Sequence, residues 1–272
     1  MPIAIRPLSP TLGAELQGFD PRNPDADAVQ ALRRTFDEKH LVLVRGVELS
    51  EDESVALATH LGEISHAGDT MKGNKRFTYI SNVAADGRLP DGELLFHADH
   101  MFMPHPLKAI SLYAMAVPST GGETCFIDTA AAYDALPDAV KARLQGLQAR
   151  HVYDYSANTG NRPPSRDTIA EGATTAVHPV VTVHPATGKK VLFVCRLFTV
   201  AILGLPREQS DELLDFLFDH LDAHATDYEH KWAVNDFLIW DNRILQHARN
   251  DFPSTEKRHM RRVPIASETV SA

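Results

Sequence analysis

Apolar positions in the first part of the chain follow helical and strand-like spacings in turn. Residues 28, 32 and 36 are apolar and place one stripe along a helix that we predict over residues 24–39. The unbroken apolar run Leu41–Val44 then predicts a buried strand. Ser50 and Glu53 have the spacing of a capping box, so a second helix should begin there and end near Gly62.

Strand-like segments dominate the rest of the chain, with one further strong helix predicted over Pro206–His224. Many strands and few helices favour a mainly β fold with helical additions, a double-stranded β-helix of the jelly-roll, cupin-like type. A nucleotide-binding parallel sheet is disfavoured because the chain carries no glycine-rich phosphate motif. The predicted strands are Phe77–Ser81, Leu94–Asp99, Ala109–Val117, Glu123–Ile127, Val180–His184, Lys190–Cys195, Phe237–Asp241 and Arg262–Ala266.

We find no repeat and no linker, so residues 1–272 should form one domain. Two stretches within it have the composition of loops. Residues from about 63 to 93 carry several glycines and mixed charge, and residues from about 155 to 177 are rich in Asn, Gly, Pro, Ser and Thr. Loops of this length inside a domain are commonly functional, so both are candidate lids.

The composition narrows the class of protein. With 43% hydrophobic and 23% charged residues, the chain resembles an ordinary soluble enzyme. A formal charge of −9 argues against a nucleic-acid partner, although a few arginines in a pocket could still bind a small anion. No segment has the apolar length of a membrane span or a secretory signal, so a cytoplasmic protein without a membrane partner is expected.

His97 and Asp99 are the most informative pair of residues. On a strand, residues two apart point to the same side, so an imidazole and a carboxylate would converge. A distant histidine, His247, would complete a 2-His-1-carboxylate facial triad, which leaves three positions of an iron(II) ion open. The pair alone is a weak signal, because fourteen histidines make accidental pairs common and ordinary solvated or core side chains are the alternative.

Arginines cluster near the C-terminus. Arg258 and Arg262 are an even number of residues apart, so on one strand they would share a face, while Arg261 would point away towards solvent or an acidic neighbour. An arginine inside a pocket needs an anion, and its planar fork suits a carboxylate. Solvated surface arginines are the alternative interpretation.

Several motifs occur together and in order along nearly the whole chain. The chain resembles the taurine/2,4-D dioxygenase (TauD/TfdA) family of iron(II)- and 2-oxoglutarate-dependent oxygenases. The motifs that carry the resemblance are Ile-Arg-Pro-Leu-Ser-Pro-Thr-Leu-Gly-Ala-Glu-Leu-Gln-Gly, Val-Leu-Val-Arg-Gly, His-Ala-Asp, Pro-Ser-Thr-Gly-Gly-Glu-Thr, Ala-Ala-Tyr-Asp-Ala-Leu-Pro, Val-His-Pro-Val-Val, Trp-Asp-Asn-Arg, His-Ala-Arg-Asn-Asp-Phe and Arg-His-Met-Arg-Arg.

The resemblance implies an enzyme that uses Fe(II), 2-oxoglutarate and O2, with ascorbate as a candidate stimulant. It implies that His97, Asp99 and His247 bind the iron. The resemblance also implies that Thr124 and Arg258 bind the distal carboxylate of 2-oxoglutarate. It implies that Arg262 and His66 bind an acidic group of the substrate. For His66 a lid histidine that contacts only water is the alternative. Relatives commonly form dimers or tetramers, so a homo-oligomer is expected.

Departures from the taurine enzyme bear on the substrate. Glu93, His100 and Asp69 replace an asparagine, a small apolar residue and a tyrosine. They suggest a small organic anion, a sulfonate or an aryloxyalkanoate or other carboxylate, that also bears a hydroxyl or amine. The implied reaction is hydroxylation, which can lead to cleavage of the substrate. Alternatives are desaturation, isonitrile formation on an amino-acid derivative, or a metal-binding jelly roll without turnover. Glu93 or Asp69 could instead pair with Arg262.

Overall fold

The computed structural model describes residues 3–66, 76–89, 92–154 and 163–267. Strands make up most of the regular structure in these ranges. The helices are α1 (Ala26–Lys39), α2 (Glu51–Thr59), α3 (Thr129–Asp134), α4 (Asp138–Arg143) and α5 (Arg207–Asp222). The strands are β1 (Ala4–Pro7), β2 (Ala14–Gln17), β3 (Leu41–Val44), β4 (Thr78–Ser81), β5 (Leu94–His97), β6 (Ala109–Ala116), β7 (Thr124–Asp128), β8 (Gln148–Tyr153), β9 (Thr174–Pro179), β10 (Val181–Val183), β11 (Lys190–Leu192), β12 (Thr199–Ile202), β13 (Ala225–His230), β14 (Phe237–Asp241), β15 (Leu245–Arg249) and β16 (His259–Ile265).

Two sheets pack against each other and position the site. The larger sheet has seven strands in the order β1-β2-β3-β14-β6-β16-β4, and the smaller has four in the order β13-β7-β15-β5. Side chains from both sheets form one buried apolar cluster, with Leu238 and Met260 from the larger sheet and Leu245 from the smaller. Phe126 and Trp240 meet edge to face across it, with ring centroids 5.7 Å apart. The predicted double-sheet β architecture is confirmed.

The first two helices cover the outer face of the larger sheet. Leu32 and Phe36 of α1 and Val55 of α2 pack into a second apolar cluster together with strand residues. The predicted capping box is confirmed: Glu53 N–H donates to Ser50 Oγ at 3.2 Å, and Ser50 N–H donates to the Glu53 carboxylate at 2.8 Å. These local signals set where the helices begin.

Helix α5 also follows its predicted range within two residues at each end. Its leucine face packs against α3 and neighbouring strands in a third apolar cluster. None of the helices in the described ranges combines the length and the apolar character that crossing a bilayer requires. The residues of the leucine face are Leu213, Leu214, Leu217 and Leu221.

Several elements lack a local signal strong enough for prediction. The elements that were not expected are the strands β1, β2, β8, β9, β12, β13 and β15 and the short helices α3 and α4. Both candidate lids also contain strands, because β4 pairs with β16 and the first residues of β9 pair with β8. Strand β4 confirms the strand predicted over Phe77–Ser81 within the first stretch, and the lid role of both stretches stays a prediction. Residues 67–75, 90–91 and 155–162 of the two stretches lie outside the described residues.

A buried charged cluster fastens the segment after β10 to the end of β14. His184 Nε2 lies 3.0 Å from Asp241 Oδ2, and His184 Nδ1 lies 2.9 Å from Thr187 Oγ1. Arg243 donates to both oxygens of Asp241, at 2.9 and 2.6 Å. Burial acts to raise the pKa of the Asp241 carboxyl, but hydrogen bonds from Arg243 and His184 outweigh it and lower the pKa to about 2.

We predict that Asp241→Asn lowers the free energy of unfolding by about 3–5 kcal/mol at neutral pH, because the partly buried Arg243 and the buried His184 lose their charged partner. The folded-state pKa is lower than the ordinary aspartate value. The ionised carboxylate therefore stabilises the folded chain above about pH 4, and this contribution is lost as the pH falls towards 2. Urea unfolding of both proteins should show a difference that narrows below about pH 4.

The matched control is Asp219→Asn, which removes an exposed partner of Arg196. It should change the free energy of unfolding by no more than about 0.5 kcal/mol. Equal effects of the two substitutions, or an Asp241→Asn effect that does not vary with pH, would contradict the structural role given to Asp241.

Candidate active site

Two histidines on adjacent strands form the centre of the site. Strands β5 and β15 are antiparallel, and His97 lies directly opposite His247, with ring centroids 4.2 Å apart. His97 Nδ1 lies 2.8 Å from the Leu95 carbonyl oxygen, which can only accept, so Nδ1 carries a proton, and Nε2 is the ring nitrogen that faces Asp99. Burial, followed by the charge of His97, lowers the pKa of His247 to about 3, which keeps this imidazole neutral.

Asp99 lies beside the two histidines, but the element that places it there differs from the one predicted from the sequence. Strand β5 ends at His97, so Asp99 lies in the following turn and does not share a strand face with His97. Asn242 holds that turn instead: its side-chain oxygen accepts from Asp99 N–H at 2.7 Å, and its amide donates to the Asp99 carbonyl at 3.0 Å. Asp99 Oδ1 thereby lies 3.1 Å from His97 Nε2 and 4.0 Å from His247 Nε2.

The arrangement of these three groups fits a divalent cation. One ligand atom from each residue lies within 4.8 Å of the others. His97 Nε2 and Asp99 Oδ1 lie 3.1 Å apart, so a cation between them would be bound by both atoms once Nε2 is deprotonated. Two imidazoles and one carboxylate are the donor set of non-haem iron(II) sites with open positions. The residues predicted to bind metal are therefore together.

Arg262 pairs with the carboxylate oxygen of Asp99 that points away from the histidines. Its Nε donates to Asp99 Oδ2 at 3.1 Å and its Nη2 donates to the same oxygen. Burial acts to raise the pKa of Asp99, but the charge of Arg262 and then the hydrogen bond with His97 hold it well below its ordinary value. Arg262 thus has an internal counter-ion that the sequence did not suggest. Glu93 is exposed, and Asp69 lies outside the described residues.

A second group with the same donor types differs from the triad. His40, His184 and Asp241 also bring ligand atoms within 4.8 Å of one another. Both His184 nitrogens already have partners, and Arg243 occupies both oxygens of Asp241. Arg262, by contrast, takes only one oxygen of Asp99 and leaves Oδ1 facing the histidines. We therefore assign the second group a structural role.

Arg258 is a buried cation next to the Gly-Gly-Glu-Thr turn. Only 2% of the residue is exposed, and within the described ranges its Nε and Nη1 lack a hydrogen-bond partner. Arg258 Nε lies 3.5 Å from the position that a Cβ would take at Gly122, whose φ of +72° also favours glycine. Burial, followed by the charge of Arg249, lowers the pKa of Arg258 to about 9, so it remains charged at neutral pH.

Thr124, two residues beyond Gly122, is also buried at the start of β7. A buried guanidinium without a partner needs an anion, and the absent Cβ at Gly122 leaves room beside it. Arg258 and Thr124 are the pair predicted for the distal carboxylate of 2-oxoglutarate. The turn that contains Gly122 and Thr124 therefore brings Thr124 close to Arg258 along the chain's fold. Arg258 itself precedes β16, so it does not share a regular strand with Arg262 as predicted.

Arg261 does not point to solvent or to an acidic neighbour, as the sequence suggested. It is 4% exposed, and its Nη1 donates to the carbonyl of Ser50 at 3.0 Å and to Ser54 Oγ at 2.9 Å. Its guanidinium lies over the rings of Phe77 and Tyr113. The side chain supports the packing of α2 on the larger sheet.

The remaining predicted substrate residues are spread over different parts of the surface. His66 is exposed and lines a cavity of about 720 Å³ with Lys108, and no triad residue is among the lining residues of that cavity. Glu93 is exposed and lines another cavity of about 220 Å³. His100 lies next to the triad in sequence, with a φ of +61° and its ring 5.8 Å from that of Phe102.

An aromatic cluster beside the triad was missed in the sequence. Phe198 meets His97 edge to face at 5.5 Å, and Phe102 lies 5.0 Å from Phe198. Tyr153 stacks on Phe102 with ring centroids 4.7 Å apart. These rings come from separate segments, so no local spacing could have identified them. We call Phe102, Tyr153 and Phe198 the aromatic wall.

We predict that the chain binds one divalent metal ion, at the triad. Replacing His97, Asp99 or His247 by alanine removes a direct ligand, so Mn(II) or Fe(II) affinity should fall by more than the 10- to 100-fold typical of supporting residues. The control is His184→Gln in the second group, which should lower the melting temperature and leave one metal ion bound. Metal analysis after anaerobic loading tests both. Full metal content in the Asp99→Ala protein would contradict the assignment.

The comparisons with known proteins agree with this site. The family model described as "Taurine catabolism dioxygenase TauD, TfdA family" matches residues 4–263. The chain is 31% identical to the alpha-ketoglutarate-dependent 2,4-dichlorophenoxyacetate dioxygenase of Cupriavidus pinatubonensis, over 99% of this chain and 100% of that protein. It is 33% identical to the (S)-phenoxypropionate/alpha-ketoglutarate-dioxygenase of Sphingobium herbicidovorans, over 98% of this chain and 96% of that protein.

Solved structures show the same fold. A taurine dioxygenase from Burkholderia xenovorans superimposes with a TM-score of 0.80 at 26% identity, covering 98% of this chain and 91% of that one. The structure of AAD-2 in complex with Mn(II) and N-oxalylglycine gives a TM-score of 0.82 at 25% identity, with both chains fully covered. The predicted jelly-roll class and the family resemblance are confirmed. The chain belongs to the TauD/TfdA family of 2-oxoglutarate-dependent dioxygenases.

Proposed function

We propose that the protein hydroxylates a small organic anion that carries an aromatic ring, of the aryloxyalkanoate type. The enzyme class is that of the family, a dioxygenase that uses iron(II), 2-oxoglutarate and O2. The observation that carries the cosubstrate assignment is the buried guanidinium of Arg258, which lacks a partner in the described part of the chain. The aromatic wall beside His97 supports the ring of the substrate.

In this proposal each group has a separate task. His97, Asp99 and His247 would hold iron(II), which supplies the activation of O2 that is coupled to conversion of 2-oxoglutarate into succinate and CO2. Arg258 and Thr124 hold the distal carboxylate and so orient the bound cosubstrate. Asn242 and Arg262 restrain the backbone and the second oxygen of Asp99, respectively.

The substrate would lie between the aromatic wall and Arg262. The wall is largely buried, with Phe102 and Phe198 each 5% exposed, and it directly contacts a proposed metal ligand. Apolar aromatic side chains at this place favour an aryl ring over a small aliphatic sulfonate such as taurine. The protein's contribution to the reaction is to aim one C–H bond of the bound substrate at the metal centre.

Arg262 is the proposed anchor for the substrate's acidic group, in addition to its bond with Asp99. Both hydrogen bonds to Asp99 use Nε and Nη2, so neither uses the third nitrogen, Nη1. A guanidinium has five N–H donors in a planar fork and can bridge two anions. Arg262 would then contact both a metal ligand and the substrate.

We predict that Arg258→Ala weakens 2-oxoglutarate binding by about 30- to 5000-fold, because a desolvated arginine–carboxylate pair that loses one partner costs roughly 2–5 kcal/mol. The apparent constant for the organic substrate should change much less. Titration of the anaerobic Fe(II) protein with 2-oxoglutarate, followed by its weak visible charge-transfer band, measures this. Arg261→Lys, in a neighbouring arginine that contacts α2, is the control and should leave the affinity unchanged. Equal effects on cosubstrate and substrate would oppose the assignment.

For the organic substrate, we predict that phenoxyacetate triggers O2 uptake and succinate formation more efficiently than taurine or the neutral isostere phenoxyethanol. Hydroxylation at the carbon next to the ether oxygen gives an unstable hemiacetal that breaks into phenol and glyoxylate, so phenol should equal succinate. Arg262→Ala should reduce the preference for phenoxyacetate over phenoxyethanol when both are compared at saturating metal and 2-oxoglutarate. An unchanged preference in this variant, or taurine as the best substrate, would reject this substrate class.

A further inference from the structure

The hydroxyl of Thr124 receives a hydrogen bond from a tryptophan outside the metal site. Trp232 Nε1 donates to Thr124 Oγ1 over 3.0 Å. Thr124 opens β7 and is buried, whereas Trp232 follows β13 and packs partly buried against the core between the two sheets. Residues 230 and 124 are direct partners in the register of β13 and β7, which keeps the indole beside the threonine.

The direction of this hydrogen bond is fixed by chemistry. An indole N–H can only donate, so Oγ1 of Thr124 has to be the acceptor. The threonine's own O–H must then point elsewhere, and within the described ranges the side chain has no other hydrogen-bond partner. A threonine hydroxyl rotates freely unless a neighbour restrains it, and Trp232 supplies that restraint.

A second set of contacts holds Trp232 itself in place. The ring of His230 meets the indole edge to face with centroids 4.3 Å apart. His230 lies between Tyr228, whose hydroxyl is 2.8 Å from Nδ1, and Asp236, whose carboxylate is 3.3 Å from Nε2. Asp236 is in turn bound by Arg45 through two hydrogen bonds of 2.9 and 3.0 Å. The indole is therefore backed by a polar network centred on the buried residues His230 and Asp236.

The hydroxyl proton of Thr124 lies on the turn against which the Arg258 side chain packs. Gly122, two residues before Thr124, lies against the Arg258 guanidinium, whose Nε and Nη1 are buried without partners in the described part of the chain. A hydroxyl proton on this turn and the guanidinium that lies against it together offer donors to a single acceptor group, and a carboxylate is acceptor-only.

We propose that Trp232 is a positioning residue for 2-oxoglutarate: by occupying the acceptor side of Thr124 Oγ1, it makes the threonine a preset donor to the distal carboxylate. This rests on the proposed function, in which Thr124 and Arg258 bind that carboxylate. Trp232 does not touch the cosubstrate in this proposal. It reduces the rotational freedom that the Thr124 hydroxyl would lose on binding, and so raises the affinity for a cosubstrate with a distal carboxylate.

The test is a double-mutant cycle on binding rather than on turnover. Calorimetric titration of the Mn(II)-loaded protein with 2-oxoglutarate gives the dissociation constant. Thr124→Val removes the donor to a charged group and should weaken binding roughly 10- to 150-fold. Trp232→Phe removes the N–H together with part of the ring and should weaken it about three- to tenfold. In the Thr124→Val background the tryptophan change should then have almost no further effect.

Pyruvate provides the internal control, because it keeps the keto-acid end and lacks the distal carboxylate. Its affinity for the Mn(II)-loaded protein should not change in Trp232→Phe, and neither should the affinity for Mn(II). Where Trp232→Phe folds poorly, site-specific replacement by β-(3-benzothienyl)alanine keeps the bicyclic ring and removes the N–H, and the same three- to tenfold loss is expected.

The possible outcomes distinguish a failure of the role given to Trp232 from a failure of the cosubstrate site assigned to Thr124 and Arg258. If Thr124→Val leaves 2-oxoglutarate affinity unchanged, the assignment of Thr124 to the cosubstrate fails. If Thr124→Val weakens binding but Trp232→Phe weakens it equally in both backgrounds, or weakens pyruvate as much as 2-oxoglutarate, Trp232 acts through packing alone. Unchanged 2-oxoglutarate affinity in both Trp232 variants, with Thr124→Val impaired, also overturns the positioning role.

Discussion

The pairing of strands β5 and β15 is the constraint on which the site depends. It places His97 opposite His247 on neighbouring strands of the smaller sheet, so the backbone register itself sets the distance between the two imidazoles. The third ligand has no such support. Asp99 lies beyond the end of the strand, and its position depends on two hydrogen bonds with Asn242 and on the charge of Arg262. The strand pair and the turn held by Asn242 together form the proposed metal site.

Buried charge explains the rest of the site. Desolvating a charged group is costly unless it is paired, and the two buried aspartates Asp241 and Asp236 are paired with Arg243 and Arg45. Arg258 differs, because two of its nitrogens are buried without a partner in the described ranges. Because this guanidinium is already desolvated in the folded chain, it should bind an anion of matching shape with high affinity. The distal carboxylate of the proposed cosubstrate is such an anion.

The sequence predicts those parts of the structure that depend on neighbours along the chain. The capping box at Ser50 and the leucine face of α5 are such features, and both are confirmed. The ligand residues could be named through the family resemblance, but the reason given for Asp99 was wrong, since a contact with Asn242, 143 residues away, replaces the expected strand. The counter-ion of Arg262 and the aromatic wall were missed for the same reason: they form only when distant segments meet.

The most direct measurement is a crystal structure of the protein with Mn(II) and 2-oxoglutarate, obtained without oxygen. The proposed site requires the metal on His97 Nε2, Asp99 Oδ1 and His247, the keto-acid end of the cosubstrate on the metal, and the distal carboxylate within hydrogen-bond distance of Arg258 and Thr124. A metal at the His184 group, or an Arg258 guanidinium paired with a protein carboxylate and not with the cosubstrate, would contradict it.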